Sequence, residues 1–202
     1  MSKKDYFAKF IRAISIPPAW VSLLLLILYL FRPDVFNNIY ELLFSLLFLV
    51  VLPIAAYPLQ PMIPKYRDNK REGQRNLAFI LSFFGYIFAI LYGTIARTTI
   101  ELFFIFITYF LSVIMLLLFN KLIKFRVSAH ACGLFGPMIL LIFFIGWQVI
   151  IPCSFLFGLM CWASLALKRH TVRELIGGSL SCAIALAVAY LAIYCFELGS
   201  IM

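Results

Sequence analysis

Seven runs of apolar sequence, each near the length of a bilayer crossing, constrain this chain more than any other feature. They cover residues 14–31, 37–58, 77–96, 99–119, 131–147, 149–167 and 174–195. About 20 apolar residues of helix cross a hydrocarbon core, so runs of this length read as transmembrane helices. Of the 202 residues, 65% are hydrophobic and 12% charged. An average soluble domain is roughly half apolar and about a quarter charged. A soluble fold would therefore lack the polar surface to cover its body. The expectation is an all-α, polytopic membrane helical bundle of six to seven transmembrane helices, a single integral membrane domain over residues 1–202.

Local signals refine the spans. Pro17-Pro18 suits a helix start, where a missing N–H costs nothing. Pro53, Pro137 and Pro152 fall inside apolar runs and are candidate kinks, which neighbouring helices tolerate in a membrane. A tight turn near Gly146-Trp147-Gln148 blurs the boundary between the fifth and sixth runs. No small-residue cleavage site precedes the first run, which therefore reads as a span and not as a removable leader. Cys132, Cys153, Cys161, Cys182 and Cys195 all lie in apolar runs without a CxxC pair. They read as helix packing, with no disulfide framework and no zinc site.

The formal net charge is +9. On a soluble domain that would suggest nucleic acid. Here the basic residues flank spans, so no nucleic acid partner is implied; the partners are the lipid bilayer and its anionic headgroups or phosphates. Alternating the spans places 15 of the 17 Lys and Arg on the N-terminal side and only Arg32 and Arg97 on the other. The acids divide evenly. Lys and Arg excess marks the cytoplasmic side, so the N-terminus is expected in the cytoplasm and the C-terminus opposite.

The chain has two histidines, His130 and His170, 40 residues apart. Two crossings return the chain to the side it left. Both therefore fall at one membrane boundary, each at a helix start, and the basic loop at 59–76 lies on that side too. Helix starts favour anions through free N–H groups and the positive end of the dipole. Two such starts, each with a histidine and ringed by cations, suit a phosphate ester held at the bilayer surface. In HTVRE, His170 and Glu174 stand at i and i+4, one helical turn apart. A carboxylate there can accept Nδ1–H, fix the tautomer and aim Nε2 outward. Thr171-x-x-Glu174 is equally a capping box, in which Glu174 merely closes the helix start. Ser128 is an N-cap candidate, and Lys121, Lys124 and Arg126 read as topology anchors.

The order basic loop, Val127-Ser128-Ala129-His130, then Arg169-His170-Thr171-Val172-Arg173-Glu174 resembles the type-2 phosphatidic acid phosphatase and haloperoxidase superfamily, over about residues 65–195. That family has a Lys and Arg-Pro segment, a Pro-Ser-Gly-His segment, and a Ser-Arg segment followed by His and, four residues on, Asp. Gly177-Gly178 also resemble the small residues that follow. The chain departs from the pattern at several points. The family's phosphate-binding Arg falls on Ser164, the Asp is Glu174, and the second-motif glycine is Ala129. The first motif's Arg best matches Arg75, with its Lys on Asp68 and its Pro on Asn76.

The resemblance implies a membrane lipid phosphatase, or a phosphotransferase, acting on a phosphatidate-like or polyprenyl phosphate or diphosphate. His170 would attack phosphorus, Glu174 orient it, and His130 protonate the leaving oxygen. Ser128, Arg75, Arg71, Lys168 and Arg169 are the candidate phosphate ligands. No metal and no cofactor are implied. Two alternatives stay open: a degenerate relative that binds anionic headgroups without chemistry, and a small transporter or structural membrane protein. Oligomeric state is unspecified.

Overall fold

The computed structural model describes residues 3–67 and 70–201, with side chains at 65, 67, 70, 71 and 195–201 outside the description. No strand occurs among the described residues, and the fold is an all-α helical bundle. Its principal helices are α1 (Lys3–Ile14), α2 (Pro17–Phe31), α3 (Ile39–Met62), α4 (Lys70–Ala96), α5 (Ile100–Leu122), α6 (Ala129–Ile145), α7 (Ile150–Ala166) and α8 (Val172–Ile201). Among the described residues, five helical segments are long and apolar enough to cross a membrane, and a sixth arises if α1 and α2 count as one bent span. They fit a multi-pass integral membrane protein. Ile95 is 83% and Ile151 80% exposed, as lipid-facing side chains should be.

The first expected span, 14–31, corresponds to α2 alone, with Ile14 instead the last residue of α1. Pro17 and Pro18 open α2 as anticipated, and a 52° bend separates it from α1. α1 is amphipathic. Ala8 and Ile11 are buried against α7, while Tyr6, Phe7, Phe10 and three lysines are exposed. Such a helix suits the headgroup boundary, apolar side down and cations out.

The expected span 131–147 is a helix of 17 residues. At about 1.5 Å per residue it is shorter than a full hydrocarbon core. Gly146 ends it at φ 100°, a conformation closed to most side chains, which sets the boundary the sequence left blurred. The expected kinks resolve individually. Pro53 sits just after a π turn at Leu47–Val51, whose wider winding absorbs the missing N–H and the ring. Pro137 lies inside α6. Pro152 falls in the first turn of α7, where no backbone bond is lost.

Lipid offers little hydrophobic drive for helix association, so close approach of small residues carries the packing. α8 turns Cys182, Ala185 and Ala189 inward, all fully or nearly buried. A Cβ on Gly136 of α6 would stand 3.1 Å from the Cys182 sulfur. α8 therefore packs closely on α6 and on α5, whose Phe104, Ile105 and Phe106 are wholly buried. Cys132, Cys153, Cys161 and Cys182 are free thiols; the Cys195 side chain lies outside the described residues.

Candidate active site

The segment between α5 and α6 docks directly on the start of α8. The Ser128 N–H donates to the Glu174 carbonyl at 2.9 Å, and the Val127 N–H to Asn120 Oδ1 at 3.2 Å. Glycines permit this approach. A Cβ on Gly177 would stand 2.7 Å from Val127 Cγ1, and one on Gly178 would collide with the Ser128 carbonyl oxygen. The two motif segments are thus one structural unit on one face, as counting crossings implied. Gly178→Ala is expected to lose about 1–3 kcal/mol through overpacking, despite alanine's better helix propensity. Gly158→Ala, where a Cβ meets nothing within 4 Å, serves as the control and should gain up to about 1 kcal/mol. Thermal unfolding of both variants in detergent checks the pair.

At the start of α8 both readings of Glu174 hold together. Thr171 is the N-cap, one residue before α8. Its Oγ1 accepts the Glu174 N–H at 3.3 Å, and Glu174 Oε2 accepts the Thr171 N–H at 3.1 Å. That is the capping box. The same Oε2 lies 3.1 Å from His170 Nδ1. A carboxylate only accepts, so Nδ1 carries the proton and Nε2 keeps its lone pair. Glu174 Oε1 pairs with Arg126 Nε at 3.2 Å. The carboxylate reaches back past the helix end, so the pairing forms although the helix starts two residues after His170.

His130 occupies the first turn of α6, ahead of the apolar run that begins at Ala131. Its Nε2 is buried and has no hydrogen-bond partner among the described residues. Burial, then the charge of Arg12, then that of His170, pushes its pKa down to about 3. Burial also lowers His170, opposed by its bond to Glu174 and reinforced by Arg12 and Arg126. Both rings are therefore neutral at pH 7, and both feel the guanidinium of Arg12.

The candidate phosphate ligands fare differently. Ser128 is wholly buried, and its Oγ accepts the Ala131 N–H at 3.1 Å. It is the helix cap that its position before α6 suggested, with its hydroxyl engaged there. Arg75 is exposed on α4; no ion pair or hydrogen bond joins it to either histidine among the described residues. The Arg71 side chain lies outside the described residues. Lys168 and Arg169 are exposed in the turn after α7. There the Lys168 N–H bonds the Leu165 carbonyl at 2.9 Å and the Arg169 N–H the Ser164 carbonyl at 3.0 Å, with Lys168 at φ 50°. That is a Schellman close with lysine in the usual glycine position.

Two further cations stand at the site, Arg126, which sequence reasoning read as a topology anchor, and Arg12. Arg126 pairs with Glu174. Its position two residues before Ser128 was an available signal. Arg12 Nη1 donates to Ser164 Oγ at 3.2 Å, and nothing in the sequence joins positions so far apart. No cluster of three or more His, Cys, Asp or Glu arranged to hold a metal occurs among the described residues. Beside the His170 turn, an apolar groove of about 320 Å³ runs between α7 and α8, lined by Phe157, Cys161, Leu165, Val172, Leu175 and Ser179 among others. Comparison with protein-family models, with curated proteins and with solved structures gives no match.

Proposed function

We propose that this chain is a membrane phosphatase that hydrolyses a lipid phosphate monoester or diphosphate, phosphatidate-like or polyprenyl, through a phosphohistidine on His170. The observation that carries the reading is the His170–Glu174 pair, which leaves Nε2 with its lone pair, in electrostatic reach of a second histidine, His130, whose buried Nε2 is unpartnered. The motif order supports it, as a divergent relative of the type-2 phosphatidic acid phosphatase superfamily.

In the first step the lone pair of His170 Nε2 forms a bond to phosphorus, and the bond from phosphorus to the lipid oxygen breaks. His130 gives its proton to that leaving oxygen. In the second step water attacks the phosphohistidine, His130 takes a proton from it, and the P–N bond breaks to restore His170 and release phosphate. Glu174 holds the ring and stabilises the positive charge it acquires. Empty, His130 is neutral. A bound phosphate dianion opposes the field of Arg12 and favours the protonated imidazole, so proton uptake accompanies binding. The lipid tail has a place in the groove beside the His170 turn. The excess of Lys and Arg on the motif side argues for a cytoplasmic site.

The test is phosphate release by purified protein in mixed micelles from phosphatidate, a polyprenyl phosphate, a polyprenyl diphosphate and a water-soluble phosphate monoester. Vanadate-sensitive release from a lipid substrate is expected; release at the boiled-protein background from the whole panel would sink the reading. Ser164, where the family pattern has arginine, favours a second reading, a headgroup-binding relative without chemistry. Lipid phosphate bound but never hydrolysed would be its signature.

The pH profile carries a further expectation. Protonation of His170 removes the nucleophile, and burial holds its pKa below the ordinary value, which is about 6.5. The acid limb of kcat/KM should therefore fall below pH 6.5, with activity retained where an exposed histidine would be half protonated.

A further inference from the structure

α1 lies across α7 and brings its last turn to the site. Ala8 and Ile11 pack with Ala163, and the Phe7 ring stands 5.8 Å from that of Trp162. This contact delivers the Arg12 guanidinium to the Ser164 hydroxyl at 3.2 Å. Ser164 is wholly buried, and its carbonyl accepts the Arg169 N–H in the turn that leads into His170. Arg12 is thus fixed on the same turn of α7 that sets the nucleophile. Its charge reaches His130 and His170 alike. Its positive charge opposes the protonation of both rings, and an anion bound beside it would relieve that opposition. The exposed cations of the adjoining turn, Lys168 and Arg169, do not share this placement.

We propose that Arg12 supplies the guanidinium that binds the phosphoryl group between His130 and His170, so that the amphipathic helix at the membrane surface completes the site. Arg12 occupies from another helix the place where the family pattern has arginine at Ser164. A planar fork of N–H donors meets two phosphoryl oxygens at once, which an ammonium does not. The proposal rests on the phosphatase reading for its turnover, but the binding it describes does not need turnover.

The experiment uses the full chain in mixed micelles, with kcat/KM for lipid phosphate and the dissociation constant for orthovanadate measured on each variant. Arg12→Ala should lower kcat/KM roughly 100-fold and weaken vanadate binding, with thermal unfolding and elution volume near wild type. Arg12→Lys should recover only part of the loss. Moving the group, in the double variant Arg12→Ser with Ser164→Arg, should restore at least roughly tenfold over Arg12→Ala by returning the donor to the transferring phosphoryl. Wild-type kcat/KM and vanadate binding in Arg12→Ala, beside an inactive His170→Ala, would overturn the proposal and leave the phosphatase reading intact. Vanadate binding that depends on Arg12, in a protein without turnover, would leave the proposal and remove the phosphatase. Should Arg12→Ala fail to fold, the folded Arg12→Lys variant decides, and full activity there overturns the role of the fork.

Discussion

His170→Ala should reduce phosphate release to background, a loss of roughly 10⁴-fold or more in kcat, because a covalent route without its nucleophile has no substitute at the same place. The variant should still fold. Glu174 loses one of its partners, but the Thr171 N–H and Arg126 remain, and one lost hydrogen bond costs about 1 kcal/mol. Unfolding midpoint and elution volume therefore change little while turnover disappears. Acid–base behaviour of the trapped intermediate gives a second readout. Phosphorus bound to nitrogen is labile to acid and stable to base, so quenched wild-type protein should carry such a label and His170→Ala none. Release from a lipid phosphate panel at wild-type rate would remove the mechanism outright.

Glu174→Gln should lower kcat by roughly 10³- to 10⁴-fold, the scale seen when a histidine loses the carboxylate that fixes its tautomer. KM should move little. The substitution keeps the shape of the capping box, since the amide oxygen can still accept the Thr171 N–H. It removes the charge that faces His170 and Arg126. The sign of the pH effect separates this from general damage. Glu174 raises the pKa of His170 against the lowering by burial. Its neutralisation therefore moves the acid limb further down in pH, whereas a merely loosened helix start would expose the ring and move it up toward the ordinary value. An unchanged or upward limb in a folded variant would refute the orienting role.

Much of the frame was readable because membrane spans are written in a coarse code. Apolar runs became helices, Pro17-Pro18 opened α2, and counting crossings put the two motif segments on one face, where a backbone bond from Ser128 to Glu174 joins them. The capping box and the His170 pair were both legible in HTVRE. Their coexistence was not, since that depends on one carboxylate oxygen serving two donors. Other features needed three dimensions. The end of α6 is set by the backbone angle at Gly146. Ser128 was legible as a cap, but not its complete burial beneath the start of α8. Arg12 carries no local signal at all, because its partner is set by how α1 lies on α7.

The hydrogen bond from Arg12 to Ser164 joins positions 152 residues apart, and this orders events during synthesis. Arg12 leaves the ribosome early, and its partner only when most of the chain has been made. α1 has to remain at the headgroup level while the intervening helices enter the bilayer, a waiting position its apolar face and flanking lysines suit. A nascent chain therefore lacks the Arg12–Ser164 contact until α7 is in place, and the turn that leads to His170 is tied to α1 only then.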